Sequence, residues 1–340
     1  EDNLKISNAG TNGQYLQKQS GNAGGLTWAD VASAPEITAN ATGAVAEDDA
    51  CIVHTDGTIK KVDLEITQQT PATGGLRFTS GYDAQYLAMA YSKTLKAVVG
   101  AHRRSTNYNM HVTSGKDDGS NGFDGPHGTS ADGEISLGGQ STPLCMTHDE
   151  STGRFHLLYQ PVSGTSNLYG AIISTDTDGT IGSTNTTTVR SGQTSGHDCC
   201  YDATANKVIY YYRESTNNKC YARSVTTASN SMSYSLGTET VIADFDTDGQ
   251  TCCTYIASAG KVVFSYKKAS DSHTYVRVAT TNSDGTFTLG SEVEVSDLEG
   301  DNTQLSVVDS QVDSKVVFLQ GKSSTIYIRI GSVTGSGASA

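Results

Sequence analysis

KVIYYYRESTNNKCYARSVTT, residues 207–227, puts a basic residue at the head of a β-branched and aromatic run, breaks at a polar turn and starts a second alternating run. Two-residue alternation is the period of a half-buried strand, and Ser-Thr-Asn-Asn between the runs is turn chemistry. The same opening recurs at Lys96 (KAVVGAHR), Arg154 (RFHLLYQ), Lys261 (KVVFSYK) and Lys315 (KVVFLQG), so the five heads stand 58, 53, 54 and 54 residues apart. Such a regular period marks a repeat architecture, and its length lies near that of propeller blades.

Each unit reads as four strands. In the third they are DCCYD (198–202), residues 207–214, residues 219–227 and a last strand around 237–243; the fourth repeats the order with TCCTYI, KVVFSYKK, HTYVRVATT and LGSEVEV. The expected fold is all-β, a five-bladed β-propeller of four-stranded repeats preceded by an extended or β-structured stalk. A β-sandwich or an open stack of sheets is the competing architecture, because alternation does not count blades. The fifth repeat shows three strands (305–309, 315–320, 325–333) before GSGASA. GGLRFTSG, residues 74–81, resembles LGSEVEV and is expected to supply the missing strand, closing the ring and covering its edge.

Three segments follow: a stalk or docking segment at 1–33, a small β-hairpin module at 34–73 and the propeller at 74–340. The module rests on ACIVH (50–54) and IKKVDLEI (59–66), joined by Thr55-Asp56-Gly57-Thr58 with its Asp-Gly hairpin signal. The 340 residues carry 36 acidic and 23 basic side chains, a net charge of −13, with only 17% charged residues. That argues against long surface helices and against nucleic acid as a partner. No run approaches the length of a membrane span, and the first residues lack the pattern of a signal peptide. The chain opens without Met, and a piece of a longer or processed product is expected.

Seven cysteines, Cys51, Cys145, Cys199, Cys200, Cys220, Cys252 and Cys253, make a complete intrachain disulfide set impossible, and a reducing site of synthesis is expected. A zinc site from Cys199, Cys200, Cys252 and Cys253 is opposed by alternation, which turns neighbours on a strand to opposite faces. They read as small buried hydrophobes. No metal and no cofactor is expected.

NLKISNAGTNGQYLQKQSGNAGGLTWADV, residues 3–31, carries Gly13-Gln14-Tyr15-Leu16 and, after a glycine turn, Gly25-Leu26-Thr27-Trp28. This pattern resembles a segment of bacteriophage tail-fibre and appendage proteins, especially those of marine phages. GAVAEDDACIVHTDGTIKKV (43–62) is similar to a β-module found beside such segments. The resemblance implies a virion structural protein assembled in the host cytoplasm, homotrimeric in its fibre parts. It implies contacts with other virion proteins through residues 1–73, and a distal β-rich domain that meets the host surface. It carries no receptor or catalytic residue over.

The turns entering the first strand of each repeat share polar residues, which a propeller would gather on one face around its axis. Tyr82, Asp83 and Gln85, then Gln140, then His197 and Asp198, then Gln250, then Asp301 and Asn302 are the candidate ligand-binding residues, suited by chemistry to a surface glycan. The plain alternative is that they build turns. Asp83, Asp198 and Asp301 are the carboxylates a glycosidase would use, since five-bladed propellers include glycoside hydrolases. They occupy equivalent positions, however, whereas a glycosidase more often breaks the pattern with a unique Glu in one blade. The expectation is therefore a glycan-binding appendage with no catalytic residues and no enzyme activity; a purely structural capsid or tail decoration and a glycoside hydrolase-type propeller are the alternatives.

STDTDGT (174–180) and TNSDGTF (281–287) approach the Asp-box of sialidase-type propellers, but with contiguous Asp-Gly and no Trp they read as hairpin turns. Calcium at Asp176 and Asp178 has only an isolated D-x-D-G behind it. Residues 116–134 form an insertion that suits a recognition loop or a tolerated lengthening. His102, His111, His127, His148, His156 and His197 show no metal-binding spacing. Tyr210 and Tyr212 should share one strand face and Tyr211 the other, some buried and some exposed.

Overall fold

A computed structural model describes residues 14–18, 26–30, 51–53, 59–61, 84–105, 108–117, 123–127, 135–161, 167–229, 231–296, 305–309, 314–322 and 325–333. The chain divides into two compact units, residues 1–69 and 70–340. The first contains two antiparallel hairpins, β1 (Gln14–Lys18) with β2 (Leu26–Asp30) and β3 (Cys51–Val53) with β4 (Ile59–Lys61).

The second unit is a β-propeller whose described elements are all strands. Blade 1 is β5 (Ala84–Ser92), β6 (Ala97–Arg104) and β7 (Asn109–Asp117), with β8 (Phe123–His127) paired to β7. That last strand falls inside the 116–134 insertion. The long β9 (Ile135–Asp149) joins two blades: its first part pairs with β7, and its second pairs with β10 (Arg154–Pro161) as the inner strand of blade 2. Blade 2 continues through β11 (Leu168–Thr175) and β12 (Ile181–Arg190). Blade 3 is β13 (Thr194–Asp202), β14 (Lys207–Glu214), β15 (Cys220–Thr227) and an outer strand split into β16 (Tyr234–Leu236) and β17 (Thr240–Ala243). Blade 4 is β18 (Thr247–Ile256), β19 (Lys261–Lys268), β20 (Thr274–Thr281) and β21 (Phe287–Ser296). Blade 5 is β22 (Leu305–Asp309), β23 (Lys315–Lys322) and β24 (Thr325–Ser332). The inner strands β5, β9, β13, β18 and β22 pack in that order.

The repeat period acquires a physical cause. The turn from first to second strand ends on a left-handed residue in all five blades: Lys96, Gly153, Asn206, Gly260 and Ser314. Lys96 is therefore the counterpart of Gly153, and Ala97, not Lys96, matches Lys207 and Lys261. The basic heads are functional parts of the blade: Lys207 Nζ donates to Thr226 Oγ1 at 2.7 Å, and Lys261 Nζ to Thr280 Oγ1, each on the third strand.

Cores form between blades, because each sheet is apolar on both faces. Leu157, Phe155 and Ile173 of blade 2 meet Val99, Ala101 and Met110 of blade 1; Leu158 and Leu168 meet Tyr210 and Tyr212; Tyr211 meets Phe264; Val276 and Val278 meet Val316 and Phe318. Tyr210, Tyr211 and Tyr212 alternate as expected, yet none is exposed, because neighbouring blades cover both faces of β14. Their hydroxyls are satisfied across the seams: Tyr210 by His156 Nδ1 at 3.0 Å, and Tyr211 by donation to the Ser265 carbonyl. The two Asp-Gly turns are hairpins, with Asp178 Oδ1 accepting from Thr180 N and Asp284 Oδ1 from Thr286 N. Both also latch blades: Ser114 donates to Gly179 O at 2.6 Å and Ser224 to Gly285 O at 2.7 Å.

Among the described residues no comparable core joins blade 5 to blade 1. Leu87, Met89 and Tyr91 on β5 and Ile328 and Ile330 on β24 are exposed. The expected closing strand at 74–81 lies outside the described residues.

Candidate functional site

Of the polar entry residues, Gln85, Gln140, His197, Asp198 and Gln250 are built into strands. Pairing of β5 with β6 slips at Tyr86, and pairing of β13 with β14 slips at Gly196, each a bulge residue in the left-handed region. Gln85 there accepts from Arg103 Nη2 at 2.7 Å, while Arg103 Nη1 reaches Thr142 Oγ1 and its guanidinium lies over the Tyr86 ring. His197 is held by Thr194 Oγ1 at 2.8 Å, and burial lowers its pKa to about 4. Asp198 is partly buried: Oδ1 accepts from Cys199 N and Oδ2 from Cys253 N, both at 2.8 Å, and burial raises its pKa to about 6. It fastens β13 to β18. Gln140 and Gln250 fall on β9 and β18, with their side chains outside the described residues, as are Tyr82, Asp83, Asp301 and Asn302 entirely.

An open cavity of about 410 Å³ lies at the other half of the inner strands. Four strands line it through Met89 and Tyr91, Thr147 and His148 with Glu150, Cys199, Cys200 and Tyr201, and Cys253, Thr254 and Tyr255. The repeat explains its symmetry. Tyr91, Tyr201 and Tyr255 occupy one repeat position, the penultimate residue of the inner strand, and His148 fills that position in blade 2. The strands end in capped turns that hold these rings in place: Asp149 Oδ1 accepts from Ser151 N and Asp202 Oδ1 from Thr204 N. A further set of bonds runs from blade to blade on this rim. Thr94 Oγ1 donates to Glu150 Oε2 at 2.9 Å, and Thr204 Oγ1 meets the Tyr255 hydroxyl at 2.7 Å.

Blade 2 breaks the pattern. The residue two places beyond the ring position is Lys93, Glu150, Ala203, Ala257 and Ser310 in successive blades, so a carboxylate stands at this point once. Glu150 Oε1 lies 3.3 Å from His148 Nδ1, with the imidazole almost wholly covered and the carboxylate over one-third exposed to the cavity. Burial lowers the His148 pKa, although Glu150 pulls it upward, and the ring packs against Phe155 at 4.6 Å between centroids. A carboxylate held by Thr94 and standing beside a covered imidazole can exchange a proton with a bound ligand. Glu150 thus departs from the repeat at a place away from the polar entry turns.

No protein-family model matches the chain, and no curated protein matches it. Solved structures do. A 6-phosphogluconolactonase-like protein from Bacteroides uniformis superposes with TM-score 0.51 at 11% identity, over 74% of this chain and 69% of its own. The Dos1 propeller matches with TM-score 0.36 at 12% identity, over 71% and 68%, and the GH43_1 enzyme from Xanthomonas citri with 0.36 at 9%, over 76% and 91%. The likeness is one of fold. The expectation that the chain is not an enzyme is corrected: the propeller matched at TM-score 0.51 is described as a lactonase, and equivalence of blade positions is no ground for excluding activity. Nothing in these matches connects the chain to phage fibres.

Proposed function

We propose that the cavity at the end of the inner strands is a carbohydrate site of the glycoside hydrolase type, with Glu150 as its proton-handling group. The observation that carries this reading is the single Glu150–His148 pair set into a ring of tyrosines. Tyr91, Tyr201 and Tyr255 offer aromatic faces to the apolar side of a sugar ring, and Thr147 and Thr254 offer hydroxyls to its polar edge. Glu150 would protonate the glycosidic oxygen as the bond to the anomeric carbon lengthens, and a water molecule would then bond to that carbon and return its proton to the Glu150 carboxylate, while Thr94 and His148 keep the carboxyl aimed. The test is release of reducing ends from a panel of soluble polysaccharides, alongside binding of the same glycans. Glu150→Gln should abolish release and keep binding, and Tyr201→Ala should weaken binding at least tenfold. A panel that is neither bound nor cleaved sinks the reading; unchanged release by Glu150→Gln removes the assigned role.

A second reading concerns residues 1–73, which the fibre-like motifs at 3–31 and 43–62 favour. In it the chain is a virion appendage, trimeric through that segment, and its propeller meets a host glycan. The separation of residues 1–69 as a unit of their own supports it. Antiserum against the propeller should label phage particles, and a monomeric full chain in sedimentation would speak against the trimer.

A further inference from the structure

Asp198 sits among four thiols that strand geometry sorts into two pairs. Along β13, alternation turns Cys199 toward blade 2 and Cys200 toward blade 4. Cys199 shares a core with Cys145, and Cys200 shares one with Cys253. Within each pair the thiols act on one another electrostatically, Cys145 with Cys199 and Cys200 with Cys253. Both pairs therefore span a seam between blades, β9 to β13 and β13 to β18. The Asp198 carboxylate holds the second seam in register by accepting from the backbone N of both Cys199 and Cys253. All four cysteines are in the thiol form. Cys252 faces the other way, into the core with Val316 and Phe318, and Cys220 lies beside Thr247 Oγ1 at 3.3 Å.

We propose that Cys145–Cys199 and Cys200–Cys253 are two disulfide-forming pairs that, on oxidation, staple blades 2, 3 and 4 through their inner strands. With a peroxide as oxidant, one sulfur of a pair attacks the O–O bond, releases water and becomes a sulfenic acid. Its partner then displaces that oxygen as a second water, so each pair gives up two electrons and two hydrogens to one hydrogen peroxide. The cavity supplies the route, since Cys199, Cys200 and Cys253 form part of its wall. Burial pushes the Cys145, Cys199 and Cys253 thiols up, which keeps them protonated at neutral pH. The staples thus form slowly and faster in alkali, as a maturation step and not a rapid sensor. Each closes a chain segment about one repeat long, enough for a cross-link to restrict the unfolded chain appreciably.

The experiment takes the full chain, oxidises it with hydrogen peroxide at pH 8.5, blocks remaining thiols with an alkylating agent and maps the unreduced peptides by mass spectrometry. The peptide holding Cys199 and Cys200 should be found linked to both the Cys145 and the Cys253 peptides. The melting temperature should rise by about 5 °C or more and return on reduction. Cys199→Ser should keep the Cys200–Cys253 link and lose the other, and Cys200→Ser should do the reverse. If either variant fails to fold, the wild-type map decides alone. A Cys199–Cys200 bond, sulfinic acids in place of cross-links, or all four thiols still open to alkylation after unfolding would overturn the assignment. None of these readouts depends on whether the cavity binds sugar.

Discussion

Asp198→Asn turns the partly buried carboxylate between blades 3 and 4 into a measurable quantity. In the folded chain Asp198 accepts two backbone N–H bonds, yet burial outweighs them and its pKa stands at about 6 against an ordinary 3.8. A raised carboxylate pKa means the fold favours the proton, so stability from this group is fully present below the unfolded value and lost as pH rises through 6. About two pH units of displacement amount to about 3 kcal/mol between pH 4 and pH 7. The amide removes that titration but keeps one acceptor, leaving one backbone N–H facing an NH2 group at a cost of about 1–3 kcal/mol. Urea unfolding of both proteins across pH 4 to 7 gives the difference directly. Subtraction is needed because His197, lowered to about 4, acts in the opposite direction over the same range. Wild type should be the more stable at pH 4, with its lead shrinking or reversing by pH 7. A difference that is flat in pH, or that grows in favour of wild type as pH rises, refutes the account of Asp198 as a partly desolvated clasp.

Two glycines separate crowding from backbone strain. Gly285→Ala places a Cβ 2.5 Å from Ser224 Oγ at a residue whose φ is +88°, and should cost about 2–3 kcal/mol; Gly192→Ala, with φ +102° and open space, should cost about 1 kcal/mol in the same denaturant titration. A reversed order would show that the Ser224 latch is not tight. Buried His156, bonded to Tyr210 and Thr227 with its pKa lowered to about 4, stays neutral in the fold. Its depressed pKa stabilises above pH 6.5 and loses that contribution as pH falls toward 4, so its ring resonances in NMR should remain unmoved at pH 5.5. Movement centred near 6.5 would contradict this. Arg190 bridges Glu214 at 2.6 Å and Glu239 at 2.5 Å with its guanidinium over Tyr221. Arg190→Lys loses the fork and the stacking, and should lower stability by about 1–2 kcal/mol in thermal unfolding; an unchanged melt would mean the network contributes nothing net.

Blade count and strand order were legible because each blade must bury both faces against its neighbours, which imposes the same alternation and the same turn every 54 residues or so. The period could be read one residue out of step in blade 1 only because Lys96 imitates a basic head while occupying the left-handed turn position of Gly153. The polar entry residues are ambiguous for a related reason. A bulge such as Gln85-Tyr86-Leu87 and a ligand loop use the same residue types, and only the pairing register separates them. What alternation does not encode is which side chains meet across a seam: the two bonds of Asp198 and the pairing of Cys145 with Cys199 join positions about one repeat apart, fixed by the rotation of one blade against the next.

The cavity itself was within reach. Written beneath one another, the ends of the inner strands read YSKT (91–94), HDES (148–151), YDAT (201–204), YIAS (255–258) and VDSQ (308–311). Three carry Tyr at the first place, and the second alone places His there with Glu two residues on. Residues that serve the blade recur in the blade, as Asp149, Asp202 and their capped turns do. A residue that departs from the repeat at a position facing the axis is free of that duty, and His148 with Glu150 is such a departure, bonded to a neighbouring blade through Thr94 and open to the cavity. Asymmetry within the repeat, not the shared polar signature, is therefore the feature to follow toward a candidate site on a propeller whose blades share one strand plan.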